Sequence, residues 1–458
     1  MRTENKTIAI LGLARSGRAT IDVCQSQNCT YYAWDDNEKS QQIAIERGYH
    51  LTAVADWPWG QIDALMMSPG IPHTWPKAHP AAAEAKKRNI PIISDIQIFL
   101  DRYPNNPVLA ITGTNGKSTT TSLVAHIFST LQQPALMGGN IGKAVNELKP
   151  QKDEAFILEL SSYQLEITPK LKPNIAALIN ITPDHLERHG GMENYAKAKA
   201  LIFANQDAND VAYIGIDDIY TQNIYNQMKQ SNKAHIIPIS VKTACAGGIY
   251  TQDGWLVDDR QHSVKKVFPL ADATYLKGAH NHQNIAFAYG MATSFGLEEA
   301  AVVQAIIAYK GLKHRQQYAG KIDNMIFIND SKATNGEAAA KALSSYKNIL
   351  WLLGGQIKED GITECLHFMG NINKAFIFGQ DKNELSAMFP NDVKQDIFTD
   401  MTGAFNNAIT YAQSHPKEDF VVLLSPAAAS FDQFSDFEQR GDLFLKLYQD
   451  LKEANNHA

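Results

Sequence analysis

Residues 109–120, LAITGTNGKSTT, are the stretch of this sequence best equipped for chemistry. An apolar run opens into a loop of Gly113, Thr114, Asn115 and Gly116, followed by Lys117, Ser118 and Thr119. Glycines let backbone N–H groups turn toward phosphate oxygens, a lysine adds charge near the outer phosphates, and a hydroxyl can ligate Mg²⁺. The spacing is compressed relative to the standard phosphate loop, because the position six before the lysine is Ile111 rather than glycine. A glycine turn with a solvated lysine is the competing reading. A strand before the loop and a helix after it, expected from about Ser122, favour phosphate binding. The motif points to ATP or GTP and leaves kinase, hydrolase and ligase open.

Three further residues could complete a phosphate-transfer site. Glu159, in ILELSSYQL, ends an apolar run. A carboxylate there can hold Mg²⁺, a hard cation that prefers oxygen, or be an ordinary strand-end glutamate. His185, in NITPDHLERH, lies in a loop with Asp184 and Glu187, and a lone histidine is as readily structural as ligating. Lys199, in YAKAKALIF, reads on its own as a solvated helix lysine. Near the N-terminus, GLARSG has Gly12 and Gly17, but Ala14 stands where a dinucleotide fingerprint has its middle glycine. Asp35 and Asp36 follow where a ribose-binding acid would sit. NAD binding and a tight turn before a helix both fit this incomplete pattern.

These residues need scaffolding. Three times, a short apolar run ends in a glycine-rich or polar loop and gives way to helical periodicity, the rhythm of an α/β fold. The first run covers residues 7–13, and another, 62–67, stops at SPGIP. A domain boundary is expected near DRYPNNP, residues 101–107. The second rhythm starts at 108–111 and continues through runs at 155–158 and 175–180, a β-rich stretch at 250–268, and helical patterns at 282–295 and 298–309. The third restarts near Gly311, with runs at 325–328, 349–353, 375–378 and 420–424 and a last helix at 436–451. Domains are expected at 1–94, 95–310 and 311–458.

Composition agrees. At about 150 residues per domain, 458 residues suggest three. The balance of 42 Lys and Arg against 48 Asp and Glu, net −6, argues against a nucleic-acid surface yet allows a local anion site. Four cysteines form no CxxC pair, so free thiols in a reducing compartment are expected. No stretch has the length of a membrane span, and the N-terminal apolar run is too short for a signal peptide. The expectation is a soluble, cytoplasmic protein.

One ordered set of motifs goes further. GTNGKS, ELSSYQL, the Asp184–His185 pair, Tyr195 with Lys199, HNHQN (280–284), GLKHR (311–315), NDSKATN (329–335) and LLGG (352–355) follow one another along the chain. In that order they resemble the Mur ligases over nearly the whole length. LSPAAASFDQFSDFEQRG, residues 424–441, resembles the C-terminal signature of the D-glutamate-adding branch.

The resemblance implies an N-terminal Rossmann-like UDP-binding domain, a central P-loop-type ATPase domain with a mostly parallel sheet, and a C-terminal Rossmann-like domain that receives the amino acid. It implies ATP-dependent joining of D-glutamate to UDP-N-acetylmuramoyl-L-alanine through an acyl phosphate. ATP would meet residues 113–119, Asn281, Asn284, Arg315 and Asp330. The UDP substrate would meet Arg15, Ser16, Asp35 and Asn140. D-Glutamate would meet His185, Thr334, Lys358, Ser430 and the backbone near Phe437, with Lys332 at the reaction centre. Two Mg²⁺ ions are implied, one on Ser118 and Glu159, the other on His185 and a carbamate of Lys199. The family also implies small-molecule partners, no membrane insertion, a monomer, and domains that close on their substrates.

Overall fold

The computed structural model describes residues 5–184, 186–231, 234–357 and 361–456. His185 and Lys358, both expected at the site, lie outside the described residues.

Among the described residues the strands form three sheets. The first holds β1 (Thr7–Leu11), β2 (Thr30–Trp34), β3 (Ala64–Met67) and β4 (Ile92–Ile93), all parallel, in the order β2-β1-β3-β4. The second holds β5 (Val108–Thr112), β6 (Ala135–Gly139), β7 (Ala155–Glu159), β8 (Ile175–Leu178), β9 (Val211–Gly215), β10 (His235–Ser240), β11 (Ile249–Gln252), β12 (Trp255–Asp258) and β13 (Lys265–Pro269). Its order is β13-β12-β11-β10-β9-β8-β5-β7-β6, antiparallel only where β12 meets β11 and β13. The third holds β14 (Gln317–Ile322), β15 (Met325–Asn329), β16 (Ile349–Gly354), β17 (Ile372–Phe378), β18 (Gln395–Ile397) and β19 (Phe420–Leu424), in the order β14-β15-β19-β16-β17-β18. Only the β14–β15 pair in it is antiparallel. The first two sheets belong to one compact unit, Met1–Tyr309, and the third to another, Lys310–Ala458.

The α/β class follows from sequence pattern. A parallel strand covered on both faces reads as a continuous apolar run, and β5 (VLAIT) and β16 (ILWLLG) are buried throughout. Along β5, Leu109 and Ile111 enter one core with Leu123, Phe128 and Phe287, while Val108 and Ala110 enter the opposite core with Phe156 and Tyr195. That alternation is the two-residue period of a strand.

The helix after the phosphate loop is Lys117–Thr130, so it begins five residues before the expected Ser122. Its first turn is the polar run KSTTT, which hides a helix start from a reading based on apolar periodicity. The last helix, Phe437–Asn456, likewise runs past residue 451.

The chain leaves β5 toward β6 on one side and leaves β7 toward β8 on the other. In open α/β sheets, such a reversal opens a crevice at the carboxyl ends of the strands where ligands bind.

Candidate active site

At the carboxyl end of β5, Gly113 has φ +155° and Gly116 has φ +83°. Gly116 opens the helix in a left-handed conformation, and a Cβ there would strike Asn284 Oδ1. No side chain caps this helix start, so its first N–H groups form a natural anion site. The N–H groups of Thr114 and Asn115 are already engaged. The Thr114 N–H donates to the Asn180 carbonyl (2.9 Å) and the Asn115 N–H to Asn180 Oδ1 (2.9 Å). Asn180 Nδ2 donates to Gln283 Oε1 (3.2 Å), and Gln283 Nε2 to Asp217 Oδ2 (3.2 Å). A chain of amides thus pins the loop to its neighbours. The Lys117 ammonium folds back onto the carbonyls of Gly113 (2.8 Å) and Thr114 (2.7 Å), holding positive charge at the loop. Ser118 is buried in the first helical turn. Asn284 is buried too, accepting from Thr120 Oγ1 (3.1 Å) and donating to Asn281 Oδ1 (3.2 Å). Here it braces the phosphate loop.

Glu159 ends β7, paired in register with Ile111 of β5. It is 2% exposed. Oε1 accepts from Asn140 Nδ2 (3.2 Å), while Oε2 is buried with no hydrogen-bond partner. Buried polar atoms are nearly always satisfied, so an orphaned carboxylate oxygen marks a missing cation or water. Lys199 is 1% exposed, and its amine donates to the Gly113 carbonyl (2.7 Å) and sits 4.5 Å over the Tyr195 ring. Burial, with help from the Lys117 charge, pushes its pKa down to about 6; Asp184 and Glu159 oppose the shift. The amine is therefore mostly neutral at pH 7. Tyr195 OH and Thr114 Oγ1 share a hydrogen bond (3.2 Å). Among the described residues no three His, Cys, Asp or Glu side chains converge into a ready metal cluster.

At the carboxyl edge of the first sheet, Asp35 binds the glycine turn itself. It accepts from the Leu13 N–H (2.6 Å) and the Asn37 N–H (2.8 Å). Arg15 donates to the Gly142 carbonyl, two residues past Asn140. Asp95, next to Ser16, is a buried carboxyl raised to about 6 chiefly by burial.

Residues 111–292 match the family model for the Mur ligase middle domain. The chain is 39% identical to the UDP-N-acetylmuramoylalanine--D-glutamate ligase of Caulobacter sp. (strain K31), over 96% of this chain and 95% of that one. Its identity to the Rhodospirillum rubrum enzyme of the same name is also 39%, over 97% and 94%. The chain belongs to the Mur ligase family. A solved Mur ligase, UDP-N-acetylmuramate-alanine ligase from Thermotoga maritima, superposes with TM-score 0.57 at 17% identity, covering 97% of this chain and 99% of that one, which shows the shared fold.

The remaining expected residues of this Mur ligase lie in the second unit, at the carboxyl ends of β15 and β19. Asp330 accepts from Ser425 Oγ (2.8 Å) and the Gln316 N–H (3.0 Å), and burial raises its carboxyl to about 7. Arg315 is half-buried one residue before Gln316. The Lys332 ammonium sits 5.5 Å over the Phe437 ring. The Thr334 N–H donates to the Lys332 carbonyl (2.9 Å), and Ser430 is buried. Arg440, which the sequence did not single out, is fully buried with all three guanidinium nitrogens engaged. It donates to Ser331 Oγ (3.0 Å) and to the carbonyls of Ser331 (2.9 Å), Ala428 (3.0 Å) and Gly354 (3.3 Å). One guanidinium joins the NDSKATN, LLGG and SPAAAS loops. Asn180 and Gln283 were missed as well, although both fall inside quoted motifs. No helix among the described residues is long and apolar enough to cross a membrane.

Proposed function

We propose that this Mur ligase joins D-glutamate to UDP-N-acetylmuramoyl-L-alanine with ATP, giving ADP and phosphate, in cytoplasmic peptidoglycan precursor synthesis. One observation carries the reading. An uncapped Gly-Lys-Ser helix start, a buried carboxylate oxygen without a partner and a buried neutral amine meet at one sheet edge, in a chain whose near full-length relatives are named for that ligation.

A carboxylate and an amine do not form an amide directly, because oxide is a poor leaving group. Transfer of the ATP γ-phosphoryl group to the substrate carboxylate makes an acyl phosphate and ADP. The amine of D-glutamate then attacks the acyl carbon, and phosphate leaves from the tetrahedral intermediate. The first step brings two anions together, so it depends on charge neutralisation and in-line placement. Lys117 and the N–H groups of the first helical turn face that charge.

Mg²⁺ fits the oxygen donors present, the Glu159 carboxylate and the Ser118 hydroxyl. Bound there, it supplies Lewis-acid neutralisation of phosphate charge. For the second ion, the reading assigns His185 and a Lys199 carbamate. The neutral amine of Lys199 attacks the carbon of CO₂ and releases a proton, leaving an anion with two oxygens where an ammonium would repel a metal. Arg15, Ser16, Asp35 and Asn140 serve the UDP substrate. Asn281, Asn284, Arg315 and Asp330 serve ATP. His185, Thr334, Lys358, Ser430, Phe437 and Lys332 serve D-glutamate and the reaction centre. The organisation into domains at 1–94, 95–310 and 311–458 and the monomeric state belong to the same proposal.

Phosphate release, measured with the UDP substrate while amino acids of both chiralities are scanned, tests the reading. Little ADP should form without the UDP substrate, and amide should form only with D-glutamate. Equal use of L-glutamate would overturn the branch. Phosphate release that needs neither co-substrate would overturn the ligase.

A further inference from the structure

Arg188 lies in the helix Leu186–His189, which follows the Asp184 loop. Its side chain reaches away from that loop to the first sheet. Nη1 donates to the Trp75 carbonyl (2.8 Å) and Nη2 to the Ile71 carbonyl (3.3 Å). The guanidinium also lies 5.0 Å over the ring of Tyr163, four residues past Glu159. Residues 71–75 belong to the loop after β3. The near end of that loop is fixed to the glycine turn: the Ser68 N–H donates to the Leu11 carbonyl (2.8 Å), and Ser68 Oγ donates to the Gly12 carbonyl (3.1 Å). Arg188 fixes the far end. Hydrophobic burial cannot do that work alone, since Trp75 is 53% exposed and rests its indole against Gly190.

We propose that Arg188 is a positioning residue for the acceptor substrate: by gripping two carbonyls of the 71–75 loop, it sets the UDP-substrate edge of the first sheet against the phosphate-loop edge of the second. This rests on the ligase reading above. A planar fork that donates to two carbonyls of one loop fixes orientation as well as distance, which a lysine, holding a single point charge, does not reproduce. The need is chemical. In-line phosphoryl transfer tolerates little misplacement of the acceptor carboxylate, and an error of about 1 Å can cost about a hundredfold in rate. Arg188 touches neither phosphate nor ion in this account. It acts through the loop it holds.

Two measurements on the full chain test the strap. Hydrogen exchange without ligands reads the loop directly, because the Ile71 and His79 amides donate to the Ser68 and Pro72 carbonyls inside it. Arg188→Ala should speed exchange across residues 71–79 by about tenfold, and Arg188→Lys by less. Steady-state kinetics should show kcat falling at least about tenfold in Arg188→Ala together with a rise in the KM for the UDP substrate, while the KM for ATP and the melting temperature stay unchanged and millimolar guanidinium restores part of the rate. Unchanged exchange across 71–79 would overturn the proposal. So would a loss shared equally by ATP and the UDP substrate together with a lowered melting temperature, the mark of a merely structural arginine. If wild-type protein made no amide, the ligase reading would fall, and the exchange result would decide the strap by itself.

Discussion

The carboxyl edges of the second and third sheets hold the same kind of buried polar chemistry, and their central groups differ in state, although His314 Nε2 on the third is also without a hydrogen-bond partner among the described residues. On the third sheet, Asp330 has both oxygens engaged and Arg440 all three nitrogens. On the second, Glu159 Oε2 has no partner, the helix at Lys117 has no side-chain cap, and Lys199 is buried as a largely neutral amine. A satisfied buried network holds loops in place. An unsatisfied one costs free energy until something binds. Under the proposed function, ions and phosphate would complete the second-sheet edge, while the Asp330–Arg440 region is a frame already built.

The largest effects should come from the unsatisfied edge, and they should fall on activity rather than on stability. Glu159→Gln keeps the shape and the contact with Asn140 but removes the charge. Ligation should fall by about a thousandfold, while the ligand-free protein should be as stable as wild type or more so, since an unpaired buried carboxylate is gone. Lys199→Ala should nearly abolish ligation, with partial recovery from added short carboxylic acids that replace the lost anion. Product formation by chromatography and urea unfolding of the same samples check both halves. Full activity in Lys199→Ala would remove the carbamate from the mechanism, and a collapse of stability in Glu159→Gln would erase the contrast between the two edges.

The sequence exposed the two edges unequally, for physical reasons. The parallel strands were legible because burial on both faces leaves an uninterrupted apolar run, as in β5 and β16. The phosphate loop was legible because its backbone geometry requires glycine at Gly116. The helix start was misplaced by five residues because its first turn, KSTTT, is polar and carries no apolar periodicity. Lys199 gave no sign of its burial, since a lysine on a short helix looks solvated until the Tyr195 ring and the Gly113 carbonyl surround it. Arg440 was hidden in the same way inside FEQRG. Asn180 and Gln283 were illegible because a lone amide carries no signature, and their work depends on partners 65 residues away for Asn180 and 103 residues away for Gln283.

Arg440 tests the other side of the comparison, where stability should respond first. Arg440→Met fills similar space but strips four hydrogen bonds from three loops, leaving the carbonyls of Gly354, Ala428 and Ser331 short of donors. The expected loss is about 3 kcal/mol in the second unit. Trp351 is the single tryptophan after residue 309 and is buried in that unit, so its fluorescence during urea unfolding reads the effect. A change below about 0.5 kcal/mol, the scale of an ordinary surface substitution, would mean that the frame does not depend on this guanidinium.

The smallest effect is a difference in sign. Unfolded, Lys199 keeps its proton up to its ordinary value of 10.5; folded and unmodified, it gives the proton up above about 6. Between those values the unfolded chain binds more protons, so this group makes stability rise with pH, at most about 1.4 kcal/mol per pH unit. Asp330 works the other way. Its folded carboxyl holds a proton up to about 7, whereas the unfolded one loses it near 3.8, so in that window this group makes stability fall as pH rises. The two windows overlap only between pH 6 and 7. In CO₂-depleted buffer across that unit, Lys199→Met should flatten the rise in the first unit, followed in a Trp351→Phe background, and Asp330→Asn should flatten the fall in the second, followed by Trp351. Slopes that change in the same direction in both variants would mean that burial does not hold these two groups in opposite protonation states, and the contrast between an edge awaiting charge and an edge already neutralised would fail.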